Sequence, residues 1–175
     1  MKLFGSHNSL SYLKPQWWMY PLNWTSKCQN LTIEEQYSKG VKLFDIRIKI
    51  VKNKIYSGHG LATYKADFGK IFSYLNLQRN CTVRLLLEGG STSIFVDFVN
   101  MLIAKYSQIH FVGGQRKKDW EQVVDLPGFD CADYHWKHLK WWMIPNPLKY
   151  AKKYNQKNKE NINEYAWSLF DFVEL

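Results

Sequence analysis

No apolar run in this 175-residue chain approaches the ~20 residues that a bilayer-spanning helix needs, so no helical membrane span is expected. The opening Met1-Lys2-Leu3-Phe4-Gly5 is too short an apolar stretch for a secretion leader, which points to the cytoplasm or the periphery of a membrane. Cysteine is scarce. Cys28, Cys81 and Cys131 cannot all pair with one another and lack metal-ligand spacing, so free thiols in a reducing compartment are expected. The glycosylation sequons at Asn23, Asn30 and Asn80 carry no meaning without a leader. Neither GxGxxG nor GxxxxGKS/T occurs, which excludes the common nucleotide-binding loops. Internal repeats and low-complexity tracts are absent, and acidic residues are in deficit, 15 against 24 Lys and Arg, for a net charge of +9.

What is present describes a globular protein. Hydrophobic residues make up 46% and charged residues 22%, near the globular average. The length suits one domain spanning residues 1–175, large enough to form a core without disulfides. Aromatics reach 17%, with eight Trp. Together with the positive charge they suggest an anionic and partly apolar partner: a membrane surface, a phospholipid or a nucleic acid.

Strand-like and helix-like runs alternate, the pattern of an α/β domain with parallel strands. The strands are expected at Lys2–Gly5, Val41–Ile48, Ile55–Ser57, Val83–Glu88, Ile109–Gly113, Phe129–Tyr134, Lys140–Ile144 and Trp167–Val173. Helix ends are legible as well. Thr32 and Glu35 form a capping box for a helix stopping at Gly40, and Asp67–Leu77 is amphipathic. Ser91, Thr92 and Ser93 offer caps for a helix reaching Tyr106, and Asn146-Pro147 opens Leu148–Asn155. Eight strands with intervening helices suggest an α/β fold, a compact, irregular (β/α)8 TIM-type barrel. At 175 residues against the usual ~250, some helices must be reduced or missing. An open doubly wound sheet is the alternative.

The polar residues on the strands carry the functional signal. In Val41–Ile48, alternation places Asp45 and Arg47 on one face with Leu43, and Phe44, Ile46 and Ile48 on the other. In a barrel the charged pair projects into the mouth; the competing explanation is a plain ion pair on an edge strand. Gly5-Ser6-His7-Asn8 and Ser57-Gly58-His59-Gly60 each end a strand in a histidine flanked by glycine, which lets an imidazole approach a ligand closely. Glu88 ends a strand before Gly89-Gly90, and Asp171 sits among hydrophobics that give it no structural reason to be there. Charged residues gathered at strand ends are where a barrel places its chemistry. Two histidines and an arginine suit phosphodiester cleavage: one imidazole takes a proton, the other gives one, and the guanidinium holds the developing charge. A carboxylate on the far nitrogen, Asp171 or Asp45, fixes the tautomer of the base.

These segments, Gly5-Ser6-His7-Asn8-Ser9, Gly40-Val41-Lys42-Leu43-Phe44-Asp45-Ile46-Arg47 and Gly58-His59-Gly60, resemble the X-domain of phosphatidylinositol-specific phospholipase C. The likeness extends to Leu85-Leu86-Leu87-Glu88, Asn146–Ala151 and Phe170-Asp171-Phe172, covering the chain in order and densest in its first 60 residues. It implies a distorted (β/α)8 barrel in which His7 deprotonates the inositol 2-hydroxyl and Asp171 orients His7. It further implies that Arg47 stabilises the transition state and His59 protonates the diacylglycerol oxygen, giving a 1,2-cyclic phosphate. Asn8 departs from the Asp of metal-free bacterial members and matches calcium-dependent eukaryotic ones, which share a Glu at the position of Glu88. Asn8, Asp45 and Glu88 offer three oxygens to calcium, but Arg47 would repel it. The expectation is therefore no cofactor, with Glu88 paired to Arg47.

Asn8, Glu88, Arg116, Asp133 and Tyr134 are the candidate substrate contacts. Trp17, Trp18, Tyr20 and Trp24, with Trp141 and Trp142, suit a membrane interface or, more plainly, a packed rim. His135 and His138 at i, i+3 lack a third zinc ligand, and Lys149, Lys152, Lys153, Lys157 and Lys159 read as a solvated helix face. The expected partner is a phospholipid or inositol phosphodiester bound by a monomer, with peripheral contact to anionic membrane and no nucleic acid. The alternatives are a glycerophosphodiester or sphingomyelinase D-like phosphodiesterase, and a non-catalytic binder of anionic lipid or nucleic acid.

Overall fold

The computed structural model describes residues 4–113, 126, 144–162 and 166–175, and the backbone of 131–133. Six of its eight strands run parallel in a curled sheet, in the order β7 (Cys131–Asp133), β8 (Trp167–Phe170), β1 (Phe4–Ser6), β2 (Leu43–Val51), β5 (Thr82–Gly89), β6 (His110–Gly113). Among the described residues four α-helices accompany them: α1 (Ile33–Ser38), α2 (Phe68–Asn76), α3 (Thr92–Lys105) and α4 (Pro147–Glu160). This is the reduced TIM-type barrel expected from the length. None of the described helices is long and apolar enough to cross a membrane.

The remaining two strands correct the expected topology. β3 (Lys54–His59) runs antiparallel to the upper half of β2, and β4 (Ala62–Tyr64) runs antiparallel to β3. Lys52 and Asn53, at φ 49° and 60°, make the two-residue reversal between β2 and β3, the left-handed geometry that matches strand twist in a hairpin. The first crossover beyond β2 is therefore a hairpin, and β4 was not expected at all. The strand expected at Lys140–Ile144 falls outside the described residues up to 143, and Ile144 itself belongs to no element.

Alternation along β2 and β5 sorts the two faces. Phe44, Ile46 and Ile48 pack with Val83, Leu85 and Leu87 beneath α2 (Ile71, Phe72, Leu75) and α3 (Phe95, Phe98, Val99, Leu102). Burying each such side chain contributes about 1.5–3 kcal/mol. Inside the curl, Leu43, Val112 and Leu169 form a small apolar plug. Gly5 makes room for it, since a Cβ there would stand 2.8 Å from Leu169 Cδ2. Above the plug β2 turns Asp45 and Arg47 inward, and β5 turns Arg84 inward beside Asp45.

Helix ends follow the sequence closely. Thr32 and Glu35 close a reciprocal capping box on α1, and Asp67, Ser91 and Asn146 cap α2, α3 and α4. α4 extends to Glu160, five residues past the expected end. A 3-10 helix at Trp17–Thr25, with Pro21 inside it, is an element the sequence reading did not expect.

Candidate active site

β1 delivers His7. Its N–H donates to the Phe170 carbonyl at 2.9 Å, and Asn8 then turns the chain at φ 45°, a left-handed position that Asn tolerates better than most residues. The buried Gln29 braces this corner. Its amide nitrogen donates to the carbonyls of His7 and Phe170, and its oxygen accepts from Val173 N–H. Asp171 stands one residue past β8, fixed by Asn155, which donates to the carbonyls of Asp171 and Phe172. The result is a 2.7 Å contact between His7 Nδ1 and Asp171 Oδ1.

Arg47 occupies the centre. Its Nε donates to Asp45 Oδ2 at 3.0 Å, its Nη1 to Glu88 Oε1 at 3.0 Å, and its Nη2 to His7 Nε2 at 2.8 Å. A guanidinium has only donors, so His7 Nε2 must be the acceptor and the ring proton lies on Nδ1, given to Asp171. Asp45 also accepts from Asn8 N–H at 3.0 Å and lies 3.5 Å from Arg84 Nη1. Burial opposes its charge, yet Arg47, Arg84 and the Asn8 N–H outweigh burial and hold its pKa at about 2. Burial likewise opposes the Arg47 charge, but Asp45 and Glu88 hold its pKa above the ordinary value.

His59 reaches the same place from the end of β3. Its Nδ1–H donates to the Ser26 carbonyl at 3.0 Å, which leaves Nε2 as the unprotonated nitrogen of the neutral ring. The two imidazole centroids are 5.3 Å apart at an interplanar angle of 86°. Burial and the neighbouring Arg47 push the His59 pKa down to about 4. His7 is fully buried, whereas Arg47 and His59 are each 8% exposed, so a ligand reaches the base past those two. Beside His59 opens a cavity of about 370 Å³ with walls that include Met19, Leu22, Leu61, Ile144 and Pro145.

The structure thus gathers His7, Asn8, Asp45, Arg47, His59, Glu88 and Asp171 into one site. Asp45 and Arg47 lie midway along β2 rather than at its end. Arg116 and Tyr134 lie outside the described residues; Asp133 is described only in backbone, opposite Leu169 in β7–β8. His135, His138, Trp141 and Trp142 also lie outside. Three close neighbours were not singled out from sequence. Arg84 shares the inward face with Glu88, and alternation against Val83, Leu85 and Leu87 was a readable signal for it. Cys28, whose sulfur is 3.7 Å from His59 Nδ1, and Gln29 follow a 3-10 helix and had none.

No family model matches the sequence, and no curated protein matches it. Solved structures do. Phosphatidylinositol-specific phospholipase C from Listeria monocytogenes aligns with a TM-score of 0.65 at 14% identity, covering 98% of this chain and 88% of that one. A variant of the Staphylococcus aureus phosphatidylinositol-specific phospholipase C aligns with a TM-score of 0.65 at 13% identity, covering 97% and 85%. A second Staphylococcus aureus structure, concerned with modulation of that enzyme's membrane binding, gives 0.61 at 14% identity, covering 97% and 85%. The chain has the phosphatidylinositol-specific phospholipase C fold. In this phospholipase C-like barrel, one mouth holds both imidazoles, with the guanidinium against His7 and near enough to His59 to depress its pKa.

Proposed function

We propose that the protein is a metal-independent phosphodiesterase that cleaves phosphatidylinositol or a related phosphodiester. The reading rests on one observation: two imidazoles 5.3 Å apart, the nearer one bonded to a guanidinium at 2.8 Å. His7 is the general base toward the inositol 2-hydroxyl. In the free protein its accepting nitrogen holds Arg47 Nη2, so the incoming phosphodiester must first draw that N–H onto its own oxygen. Anion binding and uncapping of the base are then the same event. Asp171 steadies the imidazolium that forms, and Arg47 meets the charge growing on phosphorus. His59 is neutral at pH 7 when free; the bound anion favours its protonation, and it then protonates the departing oxygen. The product is a cyclic inositol phosphate.

Calcium does not suit the three oxygens considered for it. Asp45 and Glu88 already face Arg47, and Asp45 faces Arg84 as well. The same pairing argues against a glycerophosphodiester or sphingomyelinase D-like centre built on acidic metal ligands. Asn8, with Glu88, Arg116, Asp133 and Tyr134, is assigned to substrate contact. The leaving side is apolar: the cavity beside His59 lies next to a 3-10 helix exposing Trp17, Trp18, Tyr20, Leu22 and Trp24. Aromatics of this kind favour the membrane interface, and the net charge of +9 favours anionic lipid.

The test is release of water-soluble phosphate ester from phosphatidylinositol vesicles, with and without chelator. His7→Ala and His59→Ala are each expected to lower the rate by on the order of 10²–10⁴-fold, with no effect of chelator. Activity unchanged in His7→Ala removes the base, and activity lost to chelator overturns the metal-free assignment. Undiminished vesicle binding with no turnover supports the non-catalytic lipid binder instead.

A further inference from the structure

Cys28 places beside the base a ligand that the proposed reaction does not use. Its sulfur, a ring nitrogen of His7 and an Asp171 carboxylate oxygen lie within 4.8 Å of one another, and all three residues are buried; His7 turns Nδ1 to that carboxylate. The second observation is Asn8: it is 0% exposed, and its side-chain amide oxygen has no hydrogen-bond partner. Its amide nitrogen faces the Cys28 sulfur as a donor, which places the oxygen of the same amide beside these ligands. Thiolate, imidazole and carboxylate are the donors that a borderline-soft dication such as zinc or cadmium selects, and four donors complete a tetrahedron. Positions 7, 8, 28 and 171 form no metal-binding spacing in sequence; only the fold assembles them.

We propose that His7, Cys28 and Asp171, with the Asn8 amide oxygen as fourth donor, form an inhibitory site for a zinc-class cation. Binding replaces two protons. The Cys28 thiol proton leaves to solvent, giving a thiolate. The His7 proton moves from Nδ1 to Nε2, because a metal-bound neutral imidazole keeps its hydrogen on the other nitrogen. Thiolate and carboxylate together balance the dication. The sulfur closes toward the ion, and Asp171 exchanges the Nδ1–H for the metal. His7 Nε2–H then meets Arg47 Nη2 donor to donor, so that contact breaks. It also has no lone pair left to take a proton from a substrate hydroxyl. Metal and turnover exclude each other. The inhibition rests on the role proposed for His7; the binding site does not.

The experiment adds cadmium chloride to the full chain in a phosphine reductant and reads the cadmium–thiolate charge-transfer absorption. A one-to-one band is expected in the unaltered protein and in the Cys81→Ser, Cys131→Ser double variant, which keeps Cys28 alone. The band is expected to vanish in Cys28→Ser, and affinity to fall at least about tenfold in Asp171→Asn. A band that survives Cys28→Ser, or affinity unchanged in both Asp171→Asn and His7→Gln, overturns the site. Should Cys28→Ser fail to fold, the cadmium NMR shift of the double variant decides: a one-sulfur shift supports the proposal, and a multi-sulfur shift overturns it. Zinc should abolish phosphatidylinositol hydrolysis and a chelator should restore it; cadmium bound through Cys28 with hydrolysis undiminished overturns the inhibition. Cadmium binding through Cys28 in a protein that never hydrolyses lipid sinks the phosphodiesterase reading and leaves the metal site standing.

Discussion

Arg47 has each of its terminal nitrogens and its Nε engaged, so the free protein holds the guanidinium in place before any anion arrives. His59 is held through the Ser26 carbonyl, and at a cost in charge. Its folded pKa of about 4 lies below the ordinary value of 6.5 because burial and Arg47 oppose the imidazolium. The unfolded chain therefore binds the proton more readily, and stability is complete above pH 6.5 and declines as the pH falls toward 4. The loss is on the order of 3 kcal/mol. Asp45, held at about 2 against an ordinary 3.8, adds a second decline between pH 4 and 2. Urea unfolding at pH 7, 5 and 3 is expected to show both, with His59→Gln abolishing the upper one. Of these residues, Asp45 and Arg47 were legible from strand alternation, and His7, His59 and Asp171 from the motifs around them. Cys28, Gln29 and Ser26 were not: each acts through a backbone or sulfur contact made across long sequence separations, which no local pattern encodes.

Helix starts depend on local chemistry, and the sequence foretold them. The capping box on α1 satisfies two backbone N–H groups, and α1 carries Gln36, which donates to the carbonyls of Ser9 and Leu31 just beyond the His7 corner. Thr32→Ala is expected to cost about 1 kcal/mol, read as a lower thermal midpoint, with the catalytic residues untouched. The β3–β4 hairpin was missed for the opposite reason. Period-2 alternation identifies a strand but not its direction, and the Lys52-Asn53 reversal lacks the glycine that usually marks such a turn. The 3-10 helix escaped because Pro21 stands in its middle, where proline ordinarily marks a helix break.

For the whole molecule, the reduced barrel followed from chain length and the count of strands, while the direction in which its aromatics face did not. The exposed Trp17, at 79%, and Trp18, at 47%, belong to the 3-10 helix whose Met19 and Leu22 line the His59 cavity. Sedimentation with anionic vesicles is expected to show weaker binding for the Trp17→Ala, Trp18→Ala variant, and weaker binding of the unaltered chain as salt rises. Hydrolysis of a dispersed, short-chain substrate should change little. Equal vesicle binding by variant and unaltered protein would remove these side chains from the interface. β2 is the seam of the molecule. Its lower half pairs with the strand that leads into His7, its upper half with the strand that ends at His59, and between them it carries Arg47. One strand thus serves as the ruler for all three groups. A single residue inserted between Leu43 and Arg47 would turn the guanidinium outward to the helices and leave the two histidines without the cation between them.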